Sequence, residues 1–173
     1  MTKLIYTLDR ALYFTLALLM TAIVVDVSWQ VFTRFVLANP SSYTEELAGF
    51  LLIWIGILGA AYAFRLKAHL GLDLVTSKLT GTKARNVEII GLLVSLGFSL
   101  SVMVYGGLRL VSLNLELNQM SAALGIKMAY IYTVLPISGI LISFYALVFI
   151  YHALAGTSAS LHPAQDTADL PAE

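Results

Sequence analysis

Four apolar stretches, each long enough to cross a lipid bilayer as a helix, dominate this sequence. A spanning helix needs roughly 20 mostly apolar residues, and the stretches cover residues 12–37, 46–66, 88–110 and 128–151. Hydrophobic residues make up 59% of the 173 residues and charged residues only 12%. Because a soluble domain averages about a quarter charged residues, this chain would present too little polar surface to water. The sequence predicts an all-α, polytopic membrane protein with four transmembrane helices.

The remaining segments are too short for a soluble domain. Residues 1–155 form the predicted membrane domain, and the first apolar run lacks a signal-peptide cleavage pattern, so we expect it to stay as a span. Apolar residues at helical spacing predict a short amphipathic helix over about residues 73–80, lying at the membrane surface. Residues 156–173 are small, polar and proline-containing, which predicts a disordered cytoplasmic tail.

The composition and the polar residues give no indication of catalysis or of a cofactor. The chain has no cysteine and a formal net charge of zero, which excludes thiolate chemistry and gives no basic surface for nucleic acid. The histidines His69, His152 and His162 lie in a connection, at a span end and in the tail. They are not placed to ligate haem at depth between helices. We therefore expect no enzyme activity, no metal site and no cofactor.

Lysine and arginine residues are distributed unevenly between the two sides that four spans define. The side of both termini and of the second connection carries seven of the ten, namely Lys3, Arg10, Arg65, Lys67, Lys78, Lys83 and Arg85. The opposite side carries Arg34, Arg109 and Lys127. Because basic residues stay in the cytoplasm, both termini are predicted to be cytoplasmic. If the chain is bacterial, its membrane is the inner membrane and the opposite side is the periplasm.

Ionisable residues inside a span are costly and are functional candidates by default. Asp26, Gln30 and Arg34 recur at every fourth position of the first span, which predicts that they share one helix face. In a structural interpretation, Arg34 bonds Glu45 or Glu46 across the turn and Gln30 reaches towards Asp26. In a transport interpretation, Asp26 carries a proton or a cation. The structural interpretation is favoured, because the spans offer no second embedded acid and no pair of broken helices.

The stretch Ser42-Tyr43-Thr44-Glu45 fits a capping box at the start of the second span. In this pattern Ser42 is the cap and Glu45 reaches back to it, while Glu46 places negative charge at the positive end of the helix dipole. A more specific hypothesis is that Glu45 and Glu46 also bond to Arg34 and so fix the periplasmic end of the bundle.

Small residues recur every four positions on two spans. Such faces let helix backbones approach closely, and they predict contacts either within the bundle or with another subunit. The residues are Gly56, Gly59, Ala60 and Ala63 on the second span and Gly91, Ser95 and Ser99 on the third.

The segment "YTEELAGFLLIWIGILGAAYAFRLKAHLGLD" resembles the small membrane subunit of tripartite ATP-independent periplasmic (TRAP) transporters, the DctQ-like family. A second segment, "SAALGIKMAYIYTVLPISG", is similar to the family's stretch before the last span. Tyr43 replaces the usual tryptophan, Gly49 and Gly71 stand where a basic residue is common, and Ala122 and Lys127 replace prolines. The matching positions are Tyr43, Glu45, Glu46, Leu47, Trp54, Gly59, Ala60, Ala61, Lys67, Ala68, His69 and Asp73.

The resemblance implies a scaffold subunit of a secondary transporter for organic acid uptake. In that family a periplasmic substrate-binding protein delivers a carboxylate, and a large membrane subunit carries the substrate and sodium sites of the symport. The substrate class implied is sialic acid or a C4-dicarboxylate, and the overall likeness favours sialic acid. The resemblance also marks Lys67, His69 and Asp73 as a cytoplasmic interfacial motif.

Two other classes of protein remain open from the sequence. One is a stand-alone four-helix exporter, proton-coupled through Asp26 and homodimeric. The other is an unrelated membrane assembly factor, which would be distinguished by the proteins that co-purify with it.

Overall fold

The computed structural model describes residues 2–37, 41–66 and 82–154. Side chains are described from residue 5 in the first of these ranges and from residue 86 in the last. The helices are α1 (Thr2–Phe35), α2 (Ser42–Arg65), α3 (Thr82–Phe98), the π-helix π1 (Ser99–Gly106), α4 (Gly107–Glu116), α5 (Met128–Tyr132) and α6 (Val134–Leu154). The predicted surface helix over 73–80, the tail 156–173 and the motif Lys67, His69 and Asp73 lie outside the described residues.

Four helical stretches are long and apolar enough to cross a membrane. They are Ile5–Phe35, Ser42–Arg65, Asn86–Glu116 and Met128–Leu154, and the third and fourth comprise α3–π1–α4 and α5–α6. The described part of the chain has no strand beyond an isolated bridge between Met120 and Lys127. The predicted all-α fold with four candidate spans is confirmed. Helix α1 begins at Thr2, well before residue 12, and α4 ends at Glu116, past residue 110.

Helix α1 packs along α2 through one narrow stripe of side chains. Among the described helices, only α2 runs close to the backbone of α1. Most of its buried and half-buried positions alternate at spacings of three and four, which is the pattern of a left-handed coiled-coil seam. The seam consists of Ile5, Asp9, Leu12, Leu16, Leu19, Ile23, Asp26, Gln30 and Thr33.

Helix α6 is the centre of the bundle. It is the most buried of the spans, because α2, α3 and π1 all pack on it. Its Tyr145 and Phe149 belong to the main apolar cluster, together with Leu58 and Phe64 of α2. The rings of Phe64 and Phe149 lie 6.2 Å apart.

The third and fourth spans approach each other closely along π1. A Cβ atom added to Gly139 would lie 2.7 Å from the Cβ of Met103, and one added to Gly107 would lie 2.9 Å from the Cδ of Pro136. The buried hydroxyls of Ser99 and Ser143 are 2.7 Å apart. Small residues therefore do draw helix backbones together here, at glycines that the sequence reasoning did not select.

Pro136 explains the interruption between α5 and α6. Proline has no N–H, so it cannot donate to the carbonyl of Tyr132 four residues earlier. The short α5 ends at that residue and α6 begins at Val134.

Candidate functional site

An ion-pair cluster joins three helices at the end of the bundle where α1 begins and α2 and α6 end. Arg65 donates from Nε to both carboxylate oxygens of Asp9, at 3.1 and 3.0 Å, and its Nη2 lies 2.9 Å from Oδ2. The Tyr145 hydroxyl donates to Oδ1 of Asp9 at 2.9 Å. The Arg65 guanidinium also lies 5.8 Å from the centre of the Tyr145 ring. Asp9, Arg65 and Tyr145 thus connect α1, α2 and α6.

This cluster is buried enough to matter for stability. The Arg65 side chain is 7% exposed and that of Asp9 22% exposed. Removing one partner of a buried pair leaves the other charge without compensation, which is far costlier than losing a pair at the surface.

Sequence reasoning missed the ion-pair cluster. Of the three residues, only Arg65 figures in the expectations from sequence, as one of the basic residues on the side of the termini. The signal was available in the seam of α1, because Asp9 and Asp26 both fall on its three-and-four spacing. An acid on an otherwise apolar seam needs a partner from the facing helix.

The opposite end of the bundle is held by Glu46. Its Oε1 accepts from the backbone N–H of Ala122 at 3.0 Å, and its Oε2 accepts from Ala123 and Leu124, both at 2.8 Å. Three consecutive amides directed at one carboxylate form a small anion-binding nest. We refer to this arrangement as the Glu46 contact. It ties the start of α2 to the connection between α4 and α5.

That connection, loop 117–127, has a defined internal structure. Ser121 N–H donates to the Ile126 carbonyl at 2.8 Å, and Met128 N–H donates to the Gln119 carbonyl at 3.0 Å. Gly125 has a φ of 64°, in the left-handed region that glycine adopts without strain. The loop therefore presents its three amides to Glu46 in a fixed arrangement.

The predicted capping box is wrong. Helix α2 begins at Ser42, so the cap is Ser41, and its side chain makes no capping bond. The third helical residue is then Thr44, whose hydroxyl donates to the Ser41 carbonyl at 2.8 Å. The pattern was shifted by one residue, which leaves Glu45 outside the capping position and exposed.

The predicted contact of Arg34 with Glu45 or Glu46 is also wrong. Within the residues that the structure describes, no bond joins them, and Arg34 is exposed. A helix turns about 100° per residue, so a position eight residues on lies about 80° away from Asp26, while one seven residues on stays within about 20°. Thr33 therefore occupies the seam in place of Arg34. By the same geometry, Glu45 and Glu46 point in different directions.

Asp26 is buried and Gln30 is half-buried, and both lie on the stripe of α1 that packs along α2. Asp26 is 9% exposed, and its Oδ2 has no hydrogen-bond partner among the described residues. The expected bridge from Gln30 to that oxygen is therefore absent there. The backbone carbonyl of Gln30 accepts from the Thr33 hydroxyl at 3.0 Å, a bond that does not involve the Gln30 side chain.

The predicted small-residue set divides into two groups. Ser99 is buried and bonded inside the bundle, while Gly91 and Ser95 are half-buried. On α2, nothing lies within 4 Å of a Cβ added to Gly56 or Gly59. The remaining two α2 positions are Ala60, which is exposed, and Ala63, which is half-buried. Helix α2 thus turns a small-residue face outward, away from the other described helices.

Comparison with known proteins assigns this bundle to a family. The sequence model described as "Tripartite ATP-independent periplasmic transporters, DctQ component" matches residues 11–156. The chain belongs to the DctQ family. This confirms the predicted resemblance to small TRAP subunits. A DctQ protein is a non-enzymatic transport subunit that associates with other TRAP components. Together with its four apolar helices, this family membership makes the chain a multi-pass protein of the bacterial inner membrane.

A characterised relative gives a finer comparison within the DctQ family. The chain is 28% identical over 145 residues to the sialic acid TRAP transporter small permease protein SiaQ of Vibrio cholerae serotype O1 (strain ATCC 39315 / El Tor Inaba N16961). The match covers 82% of each chain.

In residues 2–37, 41–66 and 82–154, no three histidine, aspartate or glutamate side chains lie together as metal ligands would.

Proposed function

We propose that this DctQ protein is the scaffold subunit of a TRAP transporter for sialic acid. It supports a large membrane subunit that carries the substrate and sodium sites, and a periplasmic binding protein delivers the substrate. The scaffold role rests on two polar contacts. The ion-pair cluster joins helix to helix, and the Glu46 contact joins helix α2 to loop 117–127. Their polar groups are used to fix the bundle. The substrate assignment rests on the similarity to a sialic acid small permease; a C4-dicarboxylate is the alternative substrate class.

The proposed orientation places both termini in the cytoplasm. The excess of lysine and arginine on that side supports it. In this orientation the ion-pair cluster lies at the cytoplasmic boundary of the membrane, and the Glu46 contact lies at the periplasmic boundary, where the binding protein docks.

The outward face of α2 is the proposed contact surface for the large subunit. Within the apolar part of the helix, the exposed positions on this face are Gly49, Leu52, Gly56 and Ala60, and three of these four are glycine or alanine. Without side chains in the way, a partner helix approaches the α2 backbone closely, and dispersion contacts then drive association in lipid.

Uptake by the assembled transporter tests this proposal. The double variant Glu45→Ala/Glu46→Ala is expected to lower the yield of the complex or the rate of sialic acid uptake. The single Glu45→Ala variant is the matched control, because Glu45 is exposed and makes no bond to loop 117–127. Wild-type assembly and uptake in the double variant would contradict the proposed role.

A second candidate function is a stand-alone, proton-coupled exporter. The observation that favours it is the buried Asp26 carboxylate, whose Oδ2 lacks a partner among the described residues. Against it, Asp26 faces the seam with α2. Solute movement by the chain alone in liposomes, abolished by Asp26→Asn, would establish the exporter.

A further inference from the structure

Two polar contacts on α2 are separated by about the thickness of a bilayer. Arg65 ends the helix in the ion-pair cluster, and Glu46 lies nineteen residues earlier in the Glu46 contact. At 1.5 Å per residue this separation is about 28 Å, close to the roughly 30 Å hydrocarbon core. Charged groups are strongly disfavoured inside that core. The two contacts therefore mark its two boundaries.

Loop 117–127 lies at the depth of the second boundary. Its amides of Ala122, Ala123 and Leu124 bond directly to Glu46 at 2.8–3.0 Å. The loop is also closed by its own bonds, including Ser121 N–H to Ile126 carbonyl. A loop held in this way cannot extend far into the water beyond the membrane.

This loop exposes three large apolar side chains beside the polar Asn118 and Gln119. Leu117 is 65% exposed, Met120 58% and Ile126 42%. The flanking Tyr130 is 62% exposed, and tyrosine is enriched where bilayer meets water. A loop facing water would leave all of these side chains hydrated, whereas a loop at the boundary buries them among lipid groups.

We propose that loop 117–127 is a lipid-contact surface, inserted between the headgroups and the upper acyl chains of the leaflet at that end. Glu46 sets its depth by holding three of its amides. Leu117, Met120 and Ile126 are the inserted side chains. The inference concerns the membrane and is independent of which substrate the transporter carries.

The absence of cysteine from the sequence makes a direct test possible. Single variants Met120→Cys and Ile126→Cys carry a nitroxide label, and the full chain is placed in nanodiscs of phosphatidylethanolamine and phosphatidylglycerol. Accessibility to oxygen, which partitions into lipid, is compared with accessibility to a water-soluble nickel chelate. Val94→Cys, 67% exposed within the third span, is the lipid reference. Gln119→Cys is the polar reference on the same loop.

The proposal expects a severalfold higher oxygen-to-nickel ratio at Met120 and Ile126 than at Gln119, approaching the ratio at Val94. Adding Glu46→Gln is expected to increase label mobility and lower that ratio. Ratios far below that of Val94 at both Met120 and Ile126, with the nickel chelate favoured over oxygen, would overturn lipid insertion. An oxygen preference that arises only when the other TRAP components are present would overturn it in favour of a protein partner. An unchanged ratio with Glu46→Gln would overturn the role of Glu46 in setting the depth.

Discussion

Arg65 and Asp9 form a bidentate ion pair that joins the last residue of α2 to the first turns of α1. Three donor–acceptor distances between 2.9 and 3.1 Å define the pair, although 56 residues separate the two in sequence. The Tyr145 hydroxyl adds a fourth bond from α6. Among the described helices, the backbone of α1 lies close only to α2, and this cluster is a polar link between the first helix and the centre of the bundle.

Replacing Arg65 with alanine is expected to destabilise the protein by about 3–5 kcal/mol, the usual effect of leaving a buried charge unpaired. The measurement is thermal or denaturant unfolding in detergent. Tyr145→Phe removes one neutral donor and is expected to cost only about 1–2 kcal/mol.

A double-mutant cycle controls for the charges themselves. Asp9→Asn with Arg65→Gln removes both charges and should destabilise less than the sum of the single variants. Fully additive effects would mean that the two side chains are not coupled, contrary to the structure.

Glu46 and Glu45 are expected to differ sharply, although they are neighbours. Glu46→Gln removes the charge and leaves the loop amides with a weaker acceptor, so hydrogen exchange at Ala122, Ala123 and Leu124 should accelerate by roughly tenfold or more. Glu45→Gln is the matched control and should leave exchange unchanged. Equal effects of the two substitutions would contradict the Glu46 contact.

Glycines on the two sides of the bundle are expected to respond differently to added bulk. At Gly139 a new Cβ would meet Met103 at 2.7 Å, so Gly139→Ala should destabilise the isolated chain by about 1–3 kcal/mol through overpacking. At Gly56 the space is open, so Gly56→Leu should leave the isolated chain stable and weaken co-purification with the large subunit. Gly59→Leu should behave in the same way. Unaltered co-purification of both would argue against α2 as the contact surface.

The sequence was sufficient to predict the spans, because length and hydrophobicity decide membrane insertion residue by residue. The four-residue spacing was not sufficient to place Arg34. Thr33 lies in the seam between α1 and α2, and Arg34, one residue further along the helix, lies outside it. The capping-box prediction was wrong for a similar reason. The helix begins one residue earlier than predicted, so its cap is Ser41 and not Ser42. Contacts such as Asp9 with Tyr145 depend on how distant helices meet, and a single sequence does not encode that meeting in any local pattern.

Asp26→Asn separates the scaffold from the exporter. Asparagine is nearly isosteric and keeps a polar group on the seam, so the scaffold account expects normal assembly and uptake by the complete transporter. A loss of uptake with intact assembly would assign Asp26 a direct part in transport.

Transport by purified components in liposomes tests the central claim most directly. Sialic acid uptake driven by a sodium gradient is measured for this chain alone, and for this chain with the large subunit and the binding protein. The account predicts no uptake by the chain alone and sodium-dependent uptake by the complete set. Uptake by the chain alone would contradict the scaffold role.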